Sequence, residues 1–191
     1  MAKSRSFLLD PPHSPIPAAE AFLRNARFRL RDDYLVKIAA SIAELSDEQI
    51  WWRMNDTSNS IGNLVLHLCG NARQWIVAGV GGATDTRHRA SEFATHTPIA
   101  ADTLMSRLEH ALDEVDAALV DLENEVRTTG GGPLQRVCQP QGFSQTVLDA
   151  VFHVVEHFSY HTGQIVLLAK WHAGERIRLY DEARLNVGRS I

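Results

Sequence analysis

The sequence has few cysteines, no block of like charges and no long apolar run, and each absence excludes a class of protein. Only 2 of the 191 residues are cysteine and neither lies in a CxxC pair, which argues against a disulfide framework and favours a reducing cytoplasm. The formal net charge is -4 and no five like charges occur in succession, so nucleic-acid binding gains no support. No apolar stretch reaches the roughly 20 residues that a membrane-spanning helix needs, and the N-terminal apolar run is too short for a signal peptide. We therefore expect a soluble cytoplasmic protein that binds neither nucleic acid nor membrane.

The alternation of apolar and polar residues that is typical of β-strands is also missing, and helical periodicity is present instead. Apolar residues recur at steps of three and four, the period of one helix face, in four stretches. These predict helices at about 18–45, 60–79 and 98–126, and a fourth after the loop at 127–144. The pattern indicates an all-α four-helix bundle in a single domain, 1–191, with a core at about 18–172 and a C-terminal extension at 173–191.

The connections between these helices carry weaker signals. Ser46 and Gln49 have the spacing of a capping box, which predicts a short helical turn there. Thr97 and Pro98 are suited to the cap and the first position of the third helix. The segment 83–96 is polar and without a helical period, so we predict no helix in it.

The segment HVVEHFSYHTGQI, residues 153–165, places three histidines four residues apart on the predicted fourth helix. Residues with this spacing lie above one another on one face, about 6 Å apart along the axis, so two imidazoles can converge on one metal ion. Spacing alone does not choose between the pair His153 and His157 and the pair His157 and His161. The alternative is a set of histidines at the edge of the core, each hydrogen-bonded to a neighbour. His161 lies on the apolar stripe, where an unpaired imidazole costs about 1–3 kcal/mol.

A further histidine, His67, lies on the predicted second helix in a polar strip beside the apolar stripe. The strip consists of Asn63, His67, Asn71 and Gln74. His67 is therefore either a third ligand or a solvated residue at the boundary of the packing surface. Three neutral imidazoles at about 2.0–2.1 Å would leave a coordination position open, which is the arrangement of a catalytic site. The HExxH spacing of metalloproteases is absent.

Two segments together carry a resemblance to a known family. NSIGNLVLHLCGNARQW (59–75), followed by HVVEHFSYHTGQI (153–165), resembles the DinB-like superfamily of four-helix-bundle metalloenzymes. In that superfamily one metal-binding histidine comes from the second helix and two come from an HxxxHxGQI pattern in the last helix. The resemblance covers about residues 18–172.

The resemblance implies which histidines bind the metal. The family's ligands fall on His67, His157 and His161, because the pattern places the last histidine two residues before the Gly-Gln pair. His153 is then an additional histidine, which we assign as the catalytic candidate, a proton carrier or hydrogen-bond partner of a ligand; a packed histidine is the alternative. Gln164 is expected to orient a ligand or to cap the bundle.

The resemblance also implies a class of function. Characterised members include thiol S-transferases and isomerases that use a low-molecular-weight thiol. A bound divalent ion lowers the pKa of a coordinated water or thiol. We therefore expect a metal-dependent enzyme, either a thiol S-transferase or a hydrolase, that acts on a small-molecule substrate. The expected ion is Zn, Ni, Mn or Fe, with Zn or Ni foremost. A transferase would also bind a low-molecular-weight thiol. The family further implies a homodimer.

The alternative is a non-catalytic bundle that binds an apolar ligand or a partner protein through the region of Trp51, Trp52 and Trp75.

Overall fold

The four stretches of helical periodicity form four long helices in the computed structural model, which describes residues 16–180. In chain order the α-helices are α1 (Ala18–Phe28), α2 (Leu35–Ile42), α3 (Asp47–Trp51), α4 (Ile61–Ala72), α5 (Arg89–Ala94), α6 (Ala101–Thr129) and α7 (Val147–Ala173). A π-helical segment, Arg29–Tyr34, joins α1 to α2, and another, Arg73–Val80, continues α4. The first bundle helix is thus 18–42 and the second is 61–80, while α6 is the third and α7 is the fourth. The prediction of an all-α four-helix bundle is confirmed.

The apolar faces of the four bundle helices meet in one core. α4 packs against both α6 and α7, while α1 packs against α6 and α2 against α7. The predicted apolar stripes supply this core, and Leu23, Leu68, Leu108 and Phe158 are each fully buried within it. The second and fourth bundle helices, which carry the histidine motifs, are therefore neighbours in space.

Reciprocal caps fix where these two helices begin. Before α4, the Ser60 hydroxyl accepts the backbone N–H of Asn63 at 3.1 Å, and the Asn63 amide oxygen accepts the backbone N–H of Ser60 at 3.2 Å. Thr146 and Asp149 form the same arrangement at the start of α7. Such caps satisfy backbone donors that have no partner within the helix. They thereby set the positions along the chain from which the histidines project.

The predicted capping box at Ser46 and Gln49 is present and opens α3, so this prediction is confirmed. The predicted start of the third helix is wrong. α6 begins at Ala101, three residues after Pro98, and the Thr97 side chain does not cap it. The backbone N–H of Ala101 instead donates to a carboxylate oxygen of Asp47 at 3.1 Å. A cap supplied from a distant segment leaves no local pattern in the sequence.

Two connections contain regular structure that the sequence did not predict. The polar segment 83–96 contains α5. The loop before α7 contains two antiparallel strands, β1 (Val137–Cys138) and β2 (Gln145–Thr146), with Val137 paired to Thr146. Strands of two residues are too short to show an alternation of apolar and polar side chains.

The ends of the third and fourth bundle helices are both marked by glycine. α6 is followed by the exposed run 130–132, in which Gly130 has a φ of 80°. α7 is followed by Gly174, with a φ of 57°, and beyond it Ile177 and Leu179 pack into the core. The predicted C-terminal extension is described as far as residue 180, and 181–191 lie outside the described residues. Within 16–180, no helix has both the length and the apolar character that a bilayer crossing requires.

Candidate metal centre

Three histidines from two bundle helices converge between α4 and α7. One ring nitrogen from each of His67, His157 and His161 lies within 4.8 Å of the corresponding nitrogens of the other two. Nε2 of His67 is 2.9 Å from Nε2 of His157. His67 and His161 are only 5% and 9% exposed, and His157 is half-buried. In the part of the chain that the structure describes, this is the one group of three such side chains close enough to hold an ion.

A carboxylate fixes the orientation of the His67 ring. Nδ1 of His67 lies 2.8 Å from Oε2 of Glu92. Nη2 of Arg87 lies 3.0 Å from the same Nδ1. The shorter contact is the one to the carboxylate, which only accepts hydrogen bonds, so we assign the proton to Nδ1, which donates a hydrogen bond to Glu92. In the neutral ring with this tautomer, Nε2 of His67 presents a lone pair towards His157. A carboxylate behind a histidine ligand in this way is a common feature of metal sites, where it orients the ring and raises its basicity.

Glu92 is itself held by a buried arginine. Arg87 donates from Nε to Oε1 at 2.7 Å and from Nη2 to Oε2 at 2.9 Å, and the two side chains are only 4% and 9% exposed. Burial by itself would raise the pKa of the Glu92 carboxyl, but the hydrogen bonds from Arg87 and His67 outweigh burial and hold that pKa below its usual value. Glu92 is therefore ionised at neutral pH.

A glycine makes room for this ion pair. A Cβ at Gly70 would lie 2.0 Å from Oε1 of Glu92 and 2.9 Å from Nε of Arg87. Gly70 follows His67 by three residues on the same helix. The pair can therefore lie directly against the helix backbone beside His67 only because position 70 has no side chain.

The short segment that carries Glu92 is anchored to the start of the second bundle helix. The side-chain amide of the buried Asn63 donates to the backbone carbonyls of Glu92 and Thr95, at 2.9 and 3.0 Å. Arg53 donates to the Asn63 side-chain oxygen at 2.8 Å and to the carbonyl of Phe93 at 3.1 Å. These bonds hold α5 in the position from which Glu92 reaches His67.

The two histidines of α7 are also prepared for a cation. Nδ1 of His161 lies 2.7 Å from the side-chain oxygen of Gln164 and donates to it, which leaves Nε2 free to bind. Burial is the main cause that lowers the pKa of His161, against the opposing effect of this hydrogen bond. Burial, followed by the neighbouring histidines His161 and His67, lowers the pKa of His157 to about 3. Both rings are therefore neutral at physiological pH, as metal ligands must be.

The donor set fits a divalent ion. Nε2 of His67 lies 2.9 Å from Nε2 of His157, and two facing lone pairs would repel each other, so this contact requires either a proton on one of the two nitrogens or a cation bound by both. Nitrogens that share an ion at about 2.0–2.1 Å lie roughly 3 Å apart, which is the separation of this pair. Imidazole nitrogens suit Zn, Ni, Cu and Fe. The site thus has the ligand type that such an ion requires, and the pair His67 and His157 has the spacing.

His153 lies beside the three histidines but outside their cluster. Its ring stacks on Trp75, with centroids 3.8 Å apart, and on His157, with centroids 5.3 Å apart. The Asn71 side-chain amide lies 3.4 Å from its Nε2. Burial lowers the pKa of His153. His153 is therefore positioned next to the candidate centre as a neutral imidazole, and its assignment as the catalytic residue stays a prediction.

Other residues of interest lie elsewhere. Cys69 is buried, outside the cluster, and its burial raises the pKa of its thiol to about 12. Trp75 is buried, and the indole N–H of the half-buried Trp51 donates to the carbonyl of Ile99 at 3.0 Å. Trp52 is half-buried with its ring edge-on to His172. These tryptophans pack against the protein itself.

Sequence reasoning missed Glu92 and Arg87, which lie in or beside the short helix α5. The polar strip on the second bundle helix was a signal that could have found them. Asn63, His67 and Gln74 all bond to residues of 85–95: Asn63 to the carbonyls of Glu92 and Thr95, His67 to Glu92, and Gln74 to Asp85 and Arg87. A polar strip beside a buried stripe needs polar partners, and the polar segment that follows the helix supplies them.

Comparisons with known proteins agree with this fold. Residues 17–181 match the family described as "Protein of unknown function (DUF1572)". A crystal structure of a DinB-like protein from Bacillus cereus ATCC 10987 is similar, with a TM-score of 0.55 over 80% of this chain and 91% of that chain. The two are 15% identical, so this likeness concerns the fold. No curated protein matched the chain. The chain therefore belongs to the DUF1572 family, which is a DinB-like family.

Proposed function

We propose that the protein is a metal-dependent enzyme, a thiol S-transferase or a hydrolase, with a divalent ion held by His67, His157 and His161. The observation that carries this proposal is the convergence of three imidazoles from two bundle helices. Two of them, His67 and His161, have their Nδ1 protons fixed by outer partners, so that Nε2 is available.

The residues around the centre support catalysis more than structural metal binding. Three neutral ligands contribute no negative charge, so an ion in the site keeps its full charge and an open coordination position. When bound, such an ion supplies Lewis acidity, which lowers the pKa of a water or thiol ligand. Among the ions that the family resemblance implies, Zn and Ni are our first candidates, and both suit imidazole.

We assign the proton transfer to His153. Its ring is held by Trp75 and Asn71 beside His157, and its lowered pKa keeps it neutral and able to accept a proton. A thiol or a water that reacts at neutral pH must lose a proton to a nearby base. In this proposal His153 takes that proton from a small-molecule substrate or thiol.

Metal analysis of purified protein tests the proposal. Protein expressed with Zn, Ni or Mn should hold about one ion per chain by mass spectrometry of the metals, and His157→Ala together with His161→Ala should abolish binding. His110→Ala is the matched control, since this histidine is 67% exposed and distant from the cluster in sequence. A wild-type chain without stoichiometric metal, or a double variant that retains it, would refute the proposal.

Cobalt substitution separates the two reaction classes. If the enzyme is a thiol transferase, adding a low-molecular-weight thiol to the cobalt-loaded protein should produce a sulfur-to-cobalt charge-transfer band. If it is a hydrolase, thiols should leave the spectrum unchanged, while ester or amide substrates should be turned over. Catalysis in either class should fall in His153→Gln with metal content unchanged. Full indifference to metal would instead favour the non-catalytic binding protein.

A further inference from the structure

A small cavity of about 220 Å³ lies between the first and fourth bundle helices. Its wall includes Tyr34, Lys37, Ser159, Thr162, Lys170 and Tyr180. The α7 residues among these lie on the side of the helix opposite His153, His157 and His161, as their spacing requires. The cavity is smaller than the roughly 300–1,000 Å³ of sites for drug-sized ligands, so it suits a single small chemical group.

Two lysines give this cavity a positive charge. Lys37 lies 2.5 Å from one carboxylate oxygen of Asp33, and Arg29 donates to the other oxygen at 2.9 Å, so a single carboxylate serves two cations. Lys170 takes part in no ion pair within 4 Å among the described residues. Within 16–180, no acidic residue lines the cavity. Three positive charges therefore stand against one negative charge, and the excess attracts an anion.

A buried hydroxyl group on the cavity wall has no partner in the part of the chain that the structure describes. Thr162 is only 4% exposed, and its Oγ1 makes no hydrogen bond there. Buried polar groups are nearly always paired, and an unpaired one points to a bound ion or water. Tyr34, Ser159 and Tyr180 place further hydroxyl groups around the same cavity. Hydroxyl and ammonium donors therefore surround it from both helices and from the segment after α7.

We propose that this cavity binds an oxyanion of the size of phosphate between the ammonium groups of Lys37 and Lys170, with a hydrogen bond from the hydroxyl of Thr162. Hydrogen bonds from a charged donor to an anion are roughly twice as strong as neutral ones, so the lysines supply affinity. A tetrahedral oxyanion offers more acceptor oxygens than a carboxylate does, which matches donors on several sides. Lys37 is held at the cavity by the ring of Tyr180, with Nζ 5.5 Å from the ring centroid.

A titration of the purified full-length protein with inorganic phosphate tests this site, with the ionic strength held constant by NaCl. A ligand that binds only the folded state raises Tm further as its concentration increases. Tm should therefore rise with phosphate but not with chloride, and calorimetric titration gives the Kd. Acetate should bind more weakly than phosphate. Methyl phosphate, compared with the free ion, shows whether the site accepts the phosphate group of a larger molecule or inorganic phosphate alone.

Two variants with matched controls identify the donors. Thr162→Val removes the hydroxyl group, so phosphate affinity should fall by about tenfold or more. Without phosphate, Tm of this variant should be unchanged or higher, because an unpaired buried hydroxyl group is lost. Lys170→Gln, at an exposed position, should weaken phosphate binding by about tenfold as well. Thr103→Val and Arg107→Gln make the same chemical changes at exposed positions of α6 and should bind phosphate like the wild type.

The metal centre could itself attract phosphate, so the titration is repeated with chelator-treated protein and with the variant that combines His157→Ala and His161→Ala. A phosphate response that survives in both supports the cavity, whether or not the protein binds a metal. A response that disappears in either would overturn the proposed site. So would an equal response to chloride or acetate, or wild-type phosphate affinity in Thr162→Val and Lys170→Gln.

Discussion

At the residue scale, the candidate centre depends on contacts one step removed from the three histidines. Glu92 and Gln164 each accept a hydrogen bond from Nδ1 of a different histidine, and so they direct both Nε2 atoms into the site. Arg87 in turn keeps Glu92 ionised despite its burial. The chemistry of the centre is therefore set by residues that would not touch the ion.

Replacing Glu92 with Gln tests the outer contact. Gln keeps an acceptor oxygen but removes the charge, and it leaves Arg87 buried without its carboxylate partner. We expect metal affinity to fall by about 10- to 100-fold, as is typical when an outer partner of a ligand is lost. Competition with a chelating dye measures the affinity. The control Glu109→Gln, on the exposed face of α6, should retain wild-type affinity, and an equal loss in both variants would contradict this role.

The buried histidines also predict how stability depends on pH. The pKa of His157 falls from 6.5 to about 3 on folding, chiefly through burial, so between these values the unfolded chain binds a proton that the folded chain does not. This difference should leave the free energy of unfolding of the metal-free protein unaffected above about pH 6.5 and should lower it progressively as pH falls below that value. Urea unfolding at a series of pH values measures this.

His157→Gln removes the titrating group, so this variant should lose less stability between pH 7 and pH 5 than the wild type does. His110→Gln should behave like the wild type because His110 is exposed. Identical pH dependence in all three proteins would show that burial of His157 has no effect on stability.

At the scale of the elements, the four long helices could be predicted because a buried helix face leaves a period of three to four in the sequence. The same period placed three histidines on one face of the fourth bundle helix, but the choice of His157 and His161 as the ligand pair came from the family resemblance and not from the spacing. The short helix α5 was not, because it is held by hydrogen bonds to Asn63 and Arg53 rather than by an apolar face. Likewise the start of α6 depends on Asp47, 54 residues away. Contacts between distant segments leave no local pattern. The hydrogen bonds by which α5 supports His67 therefore could not be predicted from the sequence.

Gly70 links the second bundle helix to α5 and provides a test at this scale. Alanine is favoured over glycine within a helix by about 1 kcal/mol, so the helix itself should gain stability in Gly70→Ala. The new methyl group would nevertheless displace Glu92 from its position between Arg87 and His67. We expect a well-folded variant with reduced metal affinity.

Combining Gly70→Ala with Glu92→Gln shows whether both act through the same contact. If they do, the double variant should bind metal about as weakly as the weaker single variant, because residues in contact are not additive. Additive losses in the same chelator competition would show that Gly70 acts by another route.

At the scale of the whole molecule, the ligands come from helices that lie far apart in the sequence. His67 and His157 are 90 residues apart, and the entire third bundle helix lies between them in the chain. The first and third bundle helices are joined independently, since Arg27 donates to Asp116 at 2.7 Å and to Glu123 at 3.0 Å. These ion pairs do not involve the metal centre, and a bound ion would add a connection between the other two bundle helices.

The Tm of the protein should show whether a bound ion stabilises the fold. An ion that binds only the folded state stabilises it by about 2.7 kcal/mol at a hundredfold excess over Kd, and each kcal/mol raises Tm by about 2–4 °C in a chain of this size. Relative to chelator-treated protein, Tm should therefore rise by roughly 5–10 °C and continue to rise with metal concentration. The His67→Ala variant should show no such rise, and an equal rise in that variant would point to binding elsewhere.

The exposed glycine run at 130–132 lies between His67 and the other two histidines of the candidate centre in the chain. A protease that cut there would separate a fragment with His67 from a fragment with His157 and His161. Neither fragment would hold a complete site, so a bound cation would link the two fragments through their histidines. A chelator should therefore destabilise the cleaved protein far more than the intact one. Cleavage in this surface loop would make the stability of the protein depend on the supply of metal.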